Sequence, residues 1–303
     1  MKIGINAMFF APGEGGGIER YLRNLVRALQ RIDKQNEYIL FTNKDNSGTF
    51  DLGNNFREHL VPVSAGCRPM KILWEQLVFP FQVKKNQMDI LLSPGNISPL
   101  FLPCPSVVVM HDLVPFKCPE NFHRSELQIL KALFRATAKR ANRIITVSKS
   151  SQRQILSQFN LAPDSVTVIY EACDEVFFNH RTRNKIRLIK HKLGVNRDFI
   201  LYTAATRPHK NVEGLLTAFS HLKHKYGIKH LLVVAGPAGP DHNNLLDKAT
   251  RLGINSDVIF TGYVSDKLLP ALYSMASLFV YPSFYEGFGL PVLEAMARLH
   301  FRK

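Results

Sequence analysis

An α/β fold built from two doubly wound parallel sheets is what this chain predicts, and three observations carry the prediction. Short apolar runs such as Ile90-Leu91-Leu92 and Val107-Val108-Val109-Met110 alternate with helix-period segments. Strands that read apolar throughout are covered on both faces, as a parallel sheet between helices requires. The alternation breaks over 177–193, where Arg181, Arg183, Lys185, Arg187, Lys190 and Lys192 crowd together, and then restarts. The length of 303 residues leaves room for about two domains of ordinary size. We therefore expect one Rossmann-like domain over 1–175, a basic connector over 176–197 and a second Rossmann-like domain over 198–303.

The elements follow in order. Lys2–Phe10 reads as the first strand and Pro12–Gly17 as a glycine-rich loop. Ile18 opens a helix whose apolar positions Tyr21, Leu22, Leu25, Val26 and Leu29 fall on one face of a 3.6-residue repeat. Strands then follow at Tyr38–Thr42, Asp89–Leu92, Val107–Met110, Ile144–Val147 and Val166–Tyr170, with helices over Arg124–Arg140 and Lys149–Phe159. In the second half the strands Phe199–Ala204, Leu231–Ala235, Val258–Thr261 and Leu278–Tyr281 are each followed by a helix. These helices cover Val212–His224, Asn244–Leu252, Pro270–Ala276 and Val292–Arg298. A complete nucleotide-binding sheet has about five or six strands. One or two βα units, roughly 30 residues each, are expected to be missing from this half.

Composition narrows the function. With 46% hydrophobic and 21% charged residues, the chain buries cores and is not disordered. Lys plus Arg is 39 against 24 Asp plus Glu, a net charge of +15, which favours phosphate-bearing partners. Cys67, Cys104, Cys118 and Cys173 form no C-x-x-C pair, which argues against a zinc site or a disulfide scaffold and fits a reducing cytosol. The first residues enter a strand without a signal-peptide apolar region. No run approaches the ~20 apolar residues of a membrane span. A cytoplasmic location is expected.

The strongest local signal is near the C-terminus. The strand Leu278-Phe279-Val280-Tyr281 runs into a turn, Pro282–Gly289, and Leu290-Pro291 opens a helix that runs through Glu294. Proline suits a helix start, because its missing N–H is not needed there. Gly287 and Gly289 let the main chain approach a ligand closely. The helix N-terminus offers N–H groups and a partial positive charge to an anion. Glu286, before the helix, and Glu294, expected in its first turn, can both project around the crevice at the carboxyl end of the strand.

The segment Pro282-Ser-Phe-Tyr-Glu286-Gly-Phe-Gly-Leu-Pro-Val-Leu-Glu294-Ala-Met-Ala297 resembles the E-x7-E signature of retaining glycosyltransferases of family 4, which have the GT-B fold. The resemblance extends to Gly16-Gly17-Ile18-Glu19-Arg20-Tyr21, His111-Asp112-Leu113-Val114-Pro115, Val147-Ser148-Lys149-Ser150, Pro208-His209-Lys210-Asn211 and Tyr263-Val264-Ser265-Asp266 with Leu272-Tyr273, in the family's order. It stops near Ala297. It implies two Rossmann-like domains facing a cleft, the second incomplete, and transfer of a hexose from a nucleotide-sugar to a polysaccharide or lipid-linked acceptor with the anomeric configuration retained.

The resemblance also implies roles. Glu286 contacts the donor sugar, and Glu294 accepts hydrogen bonds from the ribose. Gly287, Phe288, Gly289 and Leu290 hold sugar and phosphate through main-chain N–H groups. Gly16 and Gly17 bring the first domain's backbone to the diphosphate. His111, after the strand Val107–Met110, hydrogen-bonds the donor sugar near the reacting centre. Lys210, just before the helix that Asn211 caps, places a cation and free N–H groups at one spot, suited to the leaving diphosphate. Arg207 on the same loop could bind phosphate in bidentate fashion. No covalent nucleophile is assigned, and no cofactor is expected. No D-x-D occurs, and no metal is expected.

The segments around His111 and Pro208–Asn211 look most like mannosyl- or rhamnosyl-type members, which favours GDP-mannose over a UDP-sugar. The product would serve a bacterial-type surface polysaccharide such as lipopolysaccharide. Arg20, Arg23, Arg27 and Arg31 share one face of their helix, and Arg124, Lys131, Arg135, Lys139 and Arg140 decorate another. Such faces suit a peripheral protein on an anionic membrane surface. Nucleic acid is not expected, because no binding motif appears and the charge is spread out. The abrupt end after Ala297 motivates a rival reading, a truncated and catalytically silent relic that binds at most a nucleotide or a partner. A nicotinamide-dependent oxidoreductase is disfavoured, because no G-x-G-x-x-G follows the first strand.

Overall fold

The computed structural model describes residues 1–178, 189 and 192–299. Most of the basic run expected to form the connector, including Arg181, Arg183, Lys185, Arg187 and Lys190, lies outside the described residues. The chain divides into two units, Met1–Glu171 and Ala172–Lys303.

The first unit holds a seven-stranded sheet in the order β3-β2-β1-β4-β5-β6-β7. Its strands are β1 (Lys2–Asn6), β2 (Glu37–Thr42), β3 (Phe56–Leu60), β4 (Ile90–Ser93), β5 (Ser106–Val109), β6 (Arg143–Thr146) and β7 (Val166–Val168). Every pairing is parallel. The helices are α1 (Gly16–Ile32), α2 (Arg68–Leu77), α3 (Phe79–Lys85), α4 (Val114–Lys117), α5 (Arg124–Arg140) and α6 (Lys149–Phe159). On β2, Leu40 packs with Ile5, Leu22 and Val26, while its neighbour Phe41 packs with Phe79, Val83 and Leu91. Both faces of the sheet are therefore covered, which is why these strands read apolar throughout.

Several expectations shift in this unit. The first strand stops at Asn6, because the chain then turns over a polar knot. Asn43 and Asn46 donate side-chain N–H groups to the carbonyls of Met8, Phe10 and Ala7. The strand β3 was not expected. It is an edge strand reading Phe-Arg-Glu-His-Leu, half solvated and so without an apolar run. Helices α2 and α3 were not expected either. The basic face of α1 is partly turned inward: Arg23 pairs with Glu19 at 2.9 Å, bonds Thr49 and lies over the Phe50 ring at 4.7 Å.

The second unit holds a four-stranded parallel sheet in the order β10-β9-β8-β11. Its strands are β8 (Phe199–Thr203), β9 (Leu231–Ala235), β10 (Val258–Gly262) and β11 (Leu278–Phe279). Its helices are α7 (Val212–Tyr226), α8 (His242–Arg251), α9 (Leu269–Met275) and α10 (Leu290–Leu299). Leu201 and Val233 face Ala271, Leu272 and Ala295, and Ile200, Tyr202 and Val234 face Val212, Leu216 and Phe219.

In both sheets the strand order reverses once. The chain winds outward from β1 to β3 and resumes on the other side of β1 at β4. It winds outward from β8 to β10 and resumes on the other side of β8 at β11. Ligands of open α/β sheets sit beyond the carboxyl ends of the strands at such a reversal. Among the described residues, no helix is long and apolar enough to cross a membrane.

Candidate active site

At the reversal in the second unit, two loops are stitched together. One runs from the end of β8 to α7, and the other from the end of β11 to α10. Asn211 does most of the stitching. Its backbone sits in the left-handed region, with φ at 57°, a conformation asparagine tolerates. Its side-chain oxygen accepts from the N–H of Gly214 at 3.1 Å, which caps α7, and its Nδ2 donates to the carbonyl of Pro282 at 3.1 Å. A side chain at Gly214 would place its Cβ 2.5 Å from that oxygen, so the cap needs glycine there. The N–H of Phe284 donates to the carbonyl of His209 at 2.9 Å.

This frame brings Lys210 and Glu286 together. Lys210 Nζ donates to Glu286 Oε1 at 2.6 Å and to the Tyr281 hydroxyl at 3.3 Å. The surroundings are poor in water. Burial, and then the charge of Glu286, push the hydroxyls of Tyr281 and Tyr202 well above their ordinary range. His209 is buried, and its pKa is held down to about 4, first by desolvation and then by the positive charge of Lys210, with Arg207 adding to it and Glu286 opposing. Arg207 therefore lies within electrostatic reach of the same cluster. The arrangement concentrates cationic charge and a helix N-terminus beside one carboxylate, which suits an anionic ligand that also carries hydroxyls.

The Glu286 loop then enters α10. Gly289 takes φ at 96°, and its carbonyl accepts from the N–H groups of Val292 and Leu293. Gly287 and Phe288 lie in the loop, and Leu290 is the first helical residue. Because the helix starts at Leu290, Glu294 is its fifth residue and lies beyond the first turn, which corrects the expectation. Glu294 is also buried, and the Tyr273 hydroxyl donates to it at 2.9 Å. The same hydroxyl shares a 2.6 Å hydrogen bond with Thr203, the last residue of β8. Glu294 is thus tied to the end of the central strand through α9.

The remaining predicted residues belong to the first unit. Gly16 and Gly17 are not in the loop but head α1, which corrects the expected boundary. The reason is Glu19. Its carboxylate accepts from the N–H groups of Gly13 at 2.9 Å and Gly15 at 3.2 Å, drawing the turn into the helix. His111 follows β5 and is buried. Its Nε2 lies 2.9 Å from the Pro94 carbonyl, and its Nδ1 lies 3.2 Å from Glu171 Oε1. A carbonyl only accepts, so Nε2 carries a proton. Tyr21 meets the His111 ring edge-on at 4.8 Å, and burial, then Glu171, push its hydroxyl to about 12. Pro94 directly follows β4, so this group sits at the first sheet's own reversal, together with Asn6 and the buried Glu75, which are joined at 2.6 Å.

The sequence assigns no role to Glu19, Glu75, Glu171, Tyr273 or Tyr281. Only Glu19 left a trace, an acid in the first turn after a glycine start. Among the described residues, no group of three His, Cys, Asp or Glu side chains is placed to hold a metal ion.

Comparison with known proteins adds to the geometry. Residues 15–176 match the family described as "Glycosyltransferase Family 4", and residues 185–298 match "Glycosyl transferases group 1". The chain is 32% identical over 195 residues to the O-antigen chain mannosyltransferase B of Escherichia coli, covering 63% of this chain and 50% of that protein. It is 34% identical over 204 residues to the serotype-specific mannosyltransferase WbdA of Escherichia coli, covering 64% of this chain and 24% of that one. The chain thus spans half or less of the length of these curated relatives. Among solved structures, WaaG, a glycosyltransferase involved in lipopolysaccharide biosynthesis, superposes with a TM-score of 0.72 at 19% identity, covering 98% of this chain and 79% of that one. Anabaena HepE in complex with UDP and glucose superposes at 0.68 and 20% identity, covering 98% and 78%. These likenesses show the fold, the GT-B arrangement of parallel α/β sheets.

Proposed function

The chain belongs to glycosyltransferase family 4, and from that premise we propose that it moves a hexose from a nucleotide-diphosphate sugar to an oligosaccharide or lipid-linked acceptor, with retention at the anomeric carbon. The observation that carries the reading is the 2.6 Å pair of Lys210 and Glu286 at the reversal of the second sheet. In this reading Lys210, Arg207 and the start of α7 stabilise charge that develops on the departing diphosphate. Glu286 accepts from the sugar hydroxyls, and the backbone of Gly287, Phe288, Gly289 and Leu290 lines the same spot. Glu294 receives the ribose. Gly16, Gly17 and His111 are the first unit's contribution to the donor.

The bond from the anomeric carbon to the phosphate oxygen breaks, and a bond to the acceptor oxygen forms on the same face. The leaving phosphate takes the acceptor's proton, so no protein nucleophile is required. The mannosyltransferase names of the relatives support mannose as the sugar; GDP as the carrier is the expectation drawn from the segments around His111 and Pro208–Asn211. None of the four cysteines is in a disulfide, which fits a reducing compartment and a cytoplasmic reaction.

The test is transfer from radiolabelled GDP-mannose and UDP-glucose to an oligosaccharide acceptor, with Glu286→Ala as the control. Wild-type transfer that the variant lacks is expected. Equal transfer by both would remove Glu286 from the mechanism. No transfer by the wild type, with nucleotide binding retained, would favour the silent relic.

A further inference from the structure

Tyr281 meets both members of the Lys210–Glu286 pair, and its own place is fixed from several sides. It is the second residue after β11. The N–H of Val280, just before it, donates to the carbonyl of Leu201 at 2.9 Å. The carbonyl of Pro282, just after it, accepts from Asn211 at 3.1 Å. Its ring stacks with Tyr202 of β8 and with Phe279 of β11, each at 6.0 Å between centroids, with interplanar angles of 21° and 18°. Aromatic contacts of this kind fix a ring that has only two rotatable bonds. Lys210 is the opposite case, a point charge on a flexible four-carbon stem.

The phenol touches the two charges in different ways. Lys210 Nζ lies 5.7 Å from the Tyr281 ring centroid and 3.3 Å from its hydroxyl. An ammonium only donates, so the hydroxyl accepts from Lys210 and its own proton is available elsewhere. Burial, then the charge of Glu286, then hydrogen bonding to that carboxylate keep the phenol protonated. One hydroxyl therefore serves as acceptor to the cation and donor to the anion.

This matters when the cation leaves. A diphosphate that takes Lys210 removes from Glu286 its 2.6 Å partner. A carboxylate that loses a donor in water-poor surroundings is costly. The hydroxyl of Tyr281 stays behind, because its ring is held by the stack and by the strand. It goes on donating to Glu286, lowers the cost of releasing Lys210 and keeps the carboxylate aimed.

We propose that Tyr281 is a positioning residue, whose hydroxyl holds Glu286 in place while Lys210 moves to the diphosphate of the donor. The proposal rests on the donor site described under the proposed function, and adds to it a residue that acts through Glu286.

The test is isothermal titration of GDP and of UDP into wild type, Tyr281→Phe, Glu286→Gln and the double variant. Phenylalanine keeps the stacked ring and removes only the hydroxyl. Tyr281→Phe should weaken the nucleotide that wild type binds by about three- to tenfold. In the Glu286→Gln background no carboxylate is left behind, so the same change should alter affinity by less than about twofold. A structural effect of the missing hydroxyl would weaken both backgrounds alike. The proposal is overturned if Tyr281→Phe binds as wild type does. It is also overturned if the loss, partial or complete, is equal in the two backgrounds. Both of those results leave wild-type binding intact and so spare the donor site. Binding of neither GDP nor UDP by wild type would instead defeat the donor site itself, and the role of Tyr281 with it.

Discussion

Replacing Glu286 by Gln should tighten binding of a bare nucleoside diphosphate while abolishing sugar transfer. Lys210 Nζ is held 2.6 Å from Glu286 Oε1, with the two side chains 16% and 25% exposed. A diphosphate that uses Lys210 must draw it away from this carboxylate and must accept the carboxylate's negative charge as a neighbour. A charge-assisted hydrogen bond contributes about 1.5–3 kcal/mol when buried. Partial exposure screens this pair, so about 1–1.5 kcal/mol is the appropriate size. Glutamine keeps the shape, removes the competing charge and frees Lys210. At 1.4 kcal/mol per factor of ten, GDP affinity should rise about five- to tenfold. Lys210→Met should lower it about tenfold or more, because the cation itself is gone. Isothermal titration of GDP into wild type, Glu286→Gln and Lys210→Met measures all three. If Glu286→Gln binds GDP no more tightly than wild type, the claim that Lys210 is shared between carboxylate and diphosphate is wrong.

Three further outcomes follow from the same geometry. Tyr273→Phe strips the buried Glu294 of its 2.9 Å donor, and should lower stability by about 1–3 kcal/mol in urea unfolding followed by circular dichroism; a loss within 0.3 kcal/mol of zero, on the order of experimental error, would mean that Glu294 has other support. Gly239→Ala would set a Cβ 2.1 Å from the Thr206 carbonyl oxygen, a backbone clash that should cost about 1–3 kcal/mol, read as a lower midpoint in the same experiment. His209 titrates at about 4 when folded and near 6.5 when unfolded. The unfolded state therefore binds the proton first as pH falls. Stability should be flat in this term above about pH 7 and should fall by about 2 kcal/mol between pH 6.5 and 4. A His209→Gln variant with the same slope as wild type over that window would show that another group is responsible.

The legible parts of the fold are those whose apolar pattern has one clean period. The strand Leu231–Ala235 and the helices Arg124–Arg140 and Lys149–Phe159 carry the same bounds in sequence and structure, because each has a clean period and a marked end. The edge strand Phe56–Leu60 escaped because one side meets water. Helices Arg68–Leu77 and Phe79–Lys85 escaped because they are apolar on both sides and broken by Pro69 and Pro80, so no single face stands out. At the candidate site, the sequence named Lys210, Asn211 and Glu286 from local motifs. It could not show that Lys210 touches Glu286, 76 residues away, because that contact depends on β11 returning beside β8. The roles of Glu171 and Tyr273 could not be read for the same reason: they lie in partners brought by topology.

The central claim is that a nucleotide-sugar donor binds at the loops joined by Lys210 and Glu286. Hydrogen–deuterium exchange of the wild-type chain with and without GDP tests it most directly. The account predicts slowed exchange in peptides covering 207–215 and 286–293, absent in Lys210→Met. Protection by GDP confined to other segments, or unchanged in that variant, would contradict it.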